Sequence, residues 1–538
     1  MTQESASVSE NRSTGTAVTA RLRELLRRFD PTMLGLLGLL SVPGYVFDSL
    51  VLLRVFSIFY ILFLWMLVGP LVDAVLSRGT DEETEPTDWL QVGSLREFAV
   101  GYLMIPLTLL NPLVFAQDII QGVGGLVTFV RYRGSIPDAE GYDQQVDYRL
   151  PVEGTWTVVN GSPEREHSHS WIYPNQRYAY DLLITDEEGR SRPEEAGPTT
   201  EEYYCYDEPV LAPADGVVVD TFDAVLESDR AGGLSHPLKR SIPGGHVVIR
   251  HADSEYSFLA HLRPGSVTVE PGDRVTRGQQ VGRCGHSGNS SEPHLHFQVQ
   301  DRANFVTAAS LPVQFADVTV ESPGVTNDPD IVPGQDAWHP EGDSDPESNT
   351  DGAPDDSGSP PETHHDRTFV IEGQRVTHAA SDESGDPANQ TPDSPPPEPP
   401  VGSTGHRLAE VLRRAAYGLA VAGIVTFLAR TVTSLANIAL SGVAVAAVLG
   451  SAALVGLVFH YVFGWLRGDR FQTRGGSVGT PLGLGLAAVA VAGATQSGAV
   501  GVGPLVGILL FAGVVGYYLV SEYHTRRLLT MGRGAASG

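Results

Sequence analysis

Hydrophobic and polar positions divide the chain into blocks with different periodicities. Residues 1–30 form a polar N-terminal segment, and an apolar region follows over 31–133. Val51 to Leu76 carries only Arg54 and Asp73, and is long enough to cross a hydrocarbon layer roughly 30 Å thick. Met33 to Phe47 suits either a span or a re-entrant or interfacial segment. A third apolar stretch, Phe98 to Val130, is broken by Pro106, Pro112 and Asp118. No small-residue cleavage site follows a short isolated apolar core, which argues against a removable signal peptide. From 138 to 316 the pattern switches to short alternating runs such as Gly216-Val-Val-Val219, punctuated by Pro264-Gly265, Pro271-Gly272-Asp273 and Arg277-Gly278. That pattern predicts a compact, mostly antiparallel β domain. Residues 317–405 read as a disordered, acidic, proline-rich linker without a core of its own, in which only Arg367-Thr-Phe-Val-Ile371 resembles a strand. Apolar runs return over 407–533, at Ala415–Leu428, Ile438–Trp465, Leu482–Ala494 and Val500–Val520. They are rich in Gly and Ala and are expected to be about four transmembrane helices.

Composition changes this picture in two respects. The 538 residues hold 64 acidic against 36 basic side chains, a formal net charge of -28. A basic nucleic-acid binder is excluded, because no positive field exists to collect phosphates. Among the basic residues there is one lysine, Lys239. An acidic, lysine-poor surface stays hydrated at high salt and points to a halophilic, archaeal source, with lineage bias as the alternative. Two cysteines, Cys205 and Cys284, exclude a disulfide framework and leave open one bridge or two buried thiols.

Candidate chemistry lies in the β block. In a strand, His294 and His296 face the same side, and Asp181 interrupts the apolar run Tyr178-Ala-Tyr-Asp-Leu-Leu-Ile184. A carboxylate inside an apolar strand is expensive unless partnered, although a turn position at a strand end would also tolerate it. Two imidazoles and a carboxylate on one point make a zinc site with an open position. A lone His-x-His is weak evidence for one.

The order of motifs resembles the lysostaphin and LytM type of zinc metalloendopeptidase, metallopeptidase family twenty-three, from Gln176 to Asp301. The segments are Arg177-Tyr-Ala-Tyr-Asp181, Pro209-Val-Leu-Ala-Pro-Ala-Asp-Gly216, Tyr256-Ser-Phe-Leu-Ala-His261-Leu, Val269-Glu-Pro-Gly-Asp to Gly282, and Gly285-His-Ser-Gly-Asn to Phe297. The resemblance implies a barrel-sandwich, duplicated-hybrid all-β fold for this domain, to which the apolar runs add α-helical transmembrane regions at both ends. It also implies a Zn2+ cofactor and hydrolysis of peptide bonds in a peptide or protein of the cell envelope. By position, Asp181 and His296 correspond to zinc ligands, and His261 and His294 to the catalytic pair.

One position departs from that family. Where it has a histidine four residues before the aspartate, this chain has Arg177, a permanent cation with no lone pair to offer. His169, and after it His167, is the candidate third ligand, with Pro174 available to turn the loop back. Arg177 would then be free to pair with substrate. The alternative is a peptidase-like binding or regulatory module that has lost zinc. His246, His251 and His286 read as ordinary strand and loop residues. The Pro-Gly-Asp-x-Val pattern also occurs in lipoyl and biotinyl carriers, but Lys239 lies outside that hairpin. The expected location is a multi-pass cell-membrane protein with the β domain on the outer face; arginines at 131, 133, 407, 413 and 414 argue weakly for the inner one. The acceptor-type asparagines Asn160, Asn289 and Asn389 would matter only outside.

Overall fold

The computed structural model describes residues 34–41, 44, 48–64, 110–165, 168, 170–171, 173–193, 195–321, 362–379, 404–436, 438–467, 478–498 and 502–534. The chain divides into two units, 1–84 and 85–538.

Among the described residues of the first unit there are two tight helical segments, Leu36–Ser41 and Asp48–Leu64. Arg54, the early charge of the second segment, is satisfied by donating from Nε to the Gly44 carbonyl at 2.8 Å. The distal half of the long apolar run lies outside the described residues.

Among the described residues of the second unit, the first helix is α1, Pro112–Arg131. Its start follows from two adjacent residues. The Asn111 side chain accepts from the Leu113 and Val114 amides, and Pro112 fills the first helical position, where no amide is needed. Of the three prolines and acids breaking this apolar stretch, Pro112 therefore opens a helix.

The β block is antiparallel throughout its named strand pairings. Its central strands are β2, Tyr180–Leu183; β9, Leu295–Gln300; β6, Glu255–Leu262; β5, Gly245–Ala252; and β4, Gly216–Phe222. The other strands are β1, Thr155–Asn160; β3, Pro209–Leu211; β7, Arg274–Val275; β8, Gln280–Arg283; β10, Ser310–Leu311; β11, Phe315–Glu321; β12, Glu362–Thr368; and β13, Arg375–His378. Among the described residues, eleven strands form one sheet in the order β12-β11-β13-β1-β2-β9-β6-β5-β4-β7, with β10 on β9, and β3 and β8 form a separate pair. Period-two alternation sends Leu182, Leu295, Phe297, Leu259, Val247 and Ile249 into a core around Trp156 and Phe315. The other face carries His296, Phe258 and Val248, and a smaller apolar cluster with Phe305 covers part of it.

One expectation changes and one open alternative is decided. Part of the acidic segment is structured: β12, Glu362–Thr368, and β13, Arg375–His378, pair with β11, Phe315–Glu321, and β13 also joins β1, Thr155–Asn160. Val370 and Val376 supply the reason, since both are fully buried in the main core. The strand-like island lies at the heart of this addition. Cys205 and Cys284 are free, buried thiols; Cys205 donates to the Pro293 carbonyl at 3.1 Å.

Among the described residues, four helices follow the sheet: α2, Thr404–Leu435; α3, Gly442–Arg467; α4, Gly479–Gln496; and α5, Val502–Gly534. Small residues allow close approach. A Cβ on Gly483 would stand 2.1 Å from the Ala415 carbonyl oxygen, the contact expected of helices packed without a hydrophobic driving force. Residues 112–131, 407–434 and 504–526 are long and apolar enough to cross a membrane. The sheet is bolted to these helices. Arg413 reaches Asp220 at 3.3 Å, Arg302 pairs with Glu522, and Asn304 donates to Tyr517 and Ser521 at 3.0 and 3.1 Å.

Candidate active site

Strand pairing brings the site together from distant sequence. Asp181 on β2 stands opposite His296 on β9, and His296 is also opposite Ala260 on β6. Simple alternation would turn His261 away, because its neighbour Ala260 shares a face with Phe258. A register shift between Gly245 and Val247 interrupts the β5–β6 pairing here, and His261 has φ +60°. Such a bulge re-aims a side chain. The His261 ring then lies 4.7 Å from that of His294 and 5.8 Å from that of His296, between centroids.

All four groups are buried: Asp181 is 4% exposed, His261 7%, His294 2% and His296 7%. Burial holds the His261 ring well below the ordinary histidine range, and repulsion from His294 and His296 adds to this. The tautomers follow from the partners. His261 Nδ1 lies 2.8 Å from the Ser287 carbonyl and His294 Nδ1 lies 2.8 Å from that of Glu292. A carbonyl can only accept, so both rings donate through Nδ1 and present an Nε2 lone pair to the site. His294 Nε2 is 3.7 Å from Asp181 Oδ1.

His296 is held differently. Gln298 donates through Nε2 to the Asn175 carbonyl and to Gln300 Oε1. That orients the amide, so Gln298 Oε1 accepts from His296 Nε2 at 3.2 Å. The other ring nitrogen, Nδ1, faces Asp181 Oδ1 at 2.8 Å. In a neutral ring two lone pairs would then meet, and the pair is complete only with a proton or a metal cation. The donor chemistry thus fits zinc, which takes imidazole nitrogen and carboxylate oxygen. Asn160 supports the carboxylate from behind, its Nδ2 donating to Asp181 Oδ2 at 3.0 Å.

Arg177 does not enter this cluster. Its Nε donates to the Trp171 carbonyl at 3.2 Å and its guanidinium lies 5.0 Å from the Trp171 ring centroid. His167 and His169 lie outside the described residues. Among the described residues, no group of three or more His, Cys, Asp or Glu is arranged to hold a metal.

His286, His251 and His246 are structural. His286 bridges Ser290 Oγ and the Leu234 carbonyl, His251 bridges Ser257 and the Asp215 carbonyl, and His246 lies tilted against the rings of Phe222 and Phe258. Lys239 is 1% exposed, which excludes a carrier lysine. Asn160, an acceptor-type asparagine by sequence, is 1% exposed and committed to Asp181. Sequence reading missed this role, as it missed Gln298 and Ser287; for Gln298 the polar alternation His-x-Gln-x-Gln300 along β9 was a usable signal.

Residues 203–308 match Peptidase family M23. The match contains His261, His294 and His296 and begins after Asp181. The peptidoglycan DD-endopeptidase ShyA of Vibrio cholerae is 33% identical over 107 residues, 20% of this chain and 21% of that protein. The DD-carboxypeptidase/endopeptidase Mpg of Neisseria meningitidis is 32% identical over 111 residues, 21% of each chain. The chain therefore spans about a fifth of the length of these curated relatives. Both are bacterial, and they lend no support to an archaeal source. Among solved structures, the catalytic domain of lysostaphin from Staphylococcus simulans is 18% identical, with a TM-score of 0.17 and coverage of 32% of this chain and 90% of that one.

Proposed function

We propose that this protein is a membrane-anchored zinc metalloendopeptidase acting on peptides or proteins of the cell envelope. The observation that carries the reading is the convergence of Asp181, His261, His294 and His296 from three strands and a bulge. Asp181 and His296 would hold the zinc. His169 is the proposed third ligand, and its neighbour Ser168 is tied to the Asp181 segment by donating to the Arg177 carbonyl at 3.0 Å. Bound zinc would supply an acidified water and a polarised carbonyl.

The chain's own groups do the rest. His261, kept neutral by burial, has its Nε2 lone pair free to take a proton from the attacking water. His294 presents the same atom from the other side and can hold or return that proton at the leaving amine. Phe258 and Phe305, stacked at 4.8 Å beside His296, exclude water from one flank. The apolar helices before and after the domain are the proposed anchor, with the domain on the outer face.

The test is metal content and peptide cleavage of the full chain. One zinc per chain is expected, lost in His296→Ala and His169→Ala and retained in His167→Ala, with the fold intact. Absence of zinc at saturating metal, in a folded protein that cleaves no peptide, would favour a binding module. Arg177 at the first ligand position is the observation on that side.

A further inference from the structure

The chain has one lysine among its 36 basic residues, and the fold buries it in a polar slot. Lys239 Nζ donates to Ser235 Oγ at 2.8 Å and to Asn289 Oδ1 at 2.6 Å. Burial pulls its ammonium down to about 8, against the opposing attraction of Asp118. A compact ammonium fits such a slot where the broad planar fork of arginine does not.

The two loops that Lys239 joins are those that hold His261. In the first, 235–244, the Pro243 carbonyl accepts the His261 amide at 3.0 Å. In the second, 285–293, the Ser287 carbonyl takes His261 Nδ1, and the Ser287 hydroxyl accepts the Gly245 amide at 2.9 Å. The loops touch closely: Gly244 has φ +65°, and a Cβ there would stand 2.5 Å from Ser287. Asn289 closes the seam with its amide on the Ile242 carbonyl at 2.7 Å. From the other side, α1 grips the first loop. Asn111 Nδ2 donates to the Lys239 carbonyl at 2.9 Å, Gln117 Nε2 donates to the Arg240 carbonyl at 2.9 Å, and Gln117 Oε1 accepts the Ile242 amide at 2.8 Å.

We propose that Lys239 is a positioning residue for the catalytic histidines, bracing the 285–293 loop against the 235–244 loop that α1 holds in place. The proposal rests on the peptidase reading for its consequence, and on geometry alone for the brace. A catalytic group displaced by about 1 Å loses on the order of a hundredfold in rate, so a loosened seam acts on turnover more than on binding.

The experiment uses the full chain in detergent micelles, with Lys239→Met and Asn289→Ala beside wild type. Hydrogen exchange followed by mass spectrometry should show at least tenfold faster exchange in 285–293 for both variants. Exchange in 315–321 should be unchanged. Turnover should fall about tenfold or more with KM within threefold and zinc content unchanged, and the double variant should be no worse than the worse single one. Exchange in 285–293 within twofold of wild type would overturn the brace, as would a rise spread over the whole sheet or a loss of zinc. A wild type that cleaves no peptide would sink the peptidase reading, while the exchange result would still decide the brace.

Discussion

Asn160→Ala probes the carboxylate from behind without touching any group that faces substrate. The amide donates to Asp181 Oδ2 at 3.0 Å and is 1% exposed, so no water replaces it without opening the sheet. A hydrogen bond to a charged, buried partner is worth about 1.5–3 kcal/mol, and the metal-free protein should lose stability by that amount. Partners standing behind a metal ligand typically contribute about ten- to hundredfold to metal affinity, so zinc binding should weaken by a similar factor. Chelator competition measures the second quantity, and denaturant unfolding in the presence of a chelator measures the first. Asn160→Asp should be worse than Asn160→Ala, because two carboxylates in contact cannot both stay ionised. Zinc affinity within threefold of wild type in Asn160→Ala would refute the assignment of Asp181 as a ligand. Unchanged metal-free stability would refute the worth given to the hydrogen bond.

Three further outcomes follow from packing and protonation. His251 is pushed down to about 4 by burial, below its unfolded value, so its contribution is full above about pH 6.5 and is lost as pH falls towards 4. The loss is about 3 kcal/mol, and in urea titrations His251→Gln should flatten that limb. Trp156, 1% exposed at the centre of the core, should cost about 3–5 kcal/mol as Trp156→Ala, read by the same titration at fixed pH. Gly124→Val should pry α1 from the Phe305–Thr307 turn, because a Cβ there would stand 1.9 Å from the Val306 carbonyl oxygen. Faster hydrogen exchange over 301–308, with β12 and β13 unaffected, would register it.

Much of the β domain was legible because strand periodicity and turn residues are local signals. His294 and His296 share a face by spacing alone, and Asp181 stands out against its apolar neighbours. His261 was legible only through family resemblance. The bulge that turns it inward depends on a register shift against β5, which no local pattern encodes. β12 and β13 were hidden for a related reason. Their sequence is acidic and polar, and only Val370 and Val376 enter the core, so composition outweighed two buried side chains. In sequence Asn160 shows only an acceptor-type motif, which is a matter of three adjacent residues, whereas its burial is set by the pairing of β1 with β2. The hold that α1 exerts on the 235–244 loop rests on Asn111 and Gln117, two ordinary polar residues at the start of an apolar helix, more than a hundred positions away.

The backbone of His261 carries an evolutionary implication. With φ +60°, it occupies a conformation that glycine and asparagine adopt readily and that other side chains resist. Selection for stability alone would place one of those two residues there. A deep mutational scan should therefore separate two rankings at this codon, with His261→Gly and His261→Asn among the best-folded proteins and among the worst catalysts. On the proposed peptidase reading, histidine at such a position keeps chemistry at the expense of fold comfort. Descendants released from catalysis would be expected to drift first at this residue.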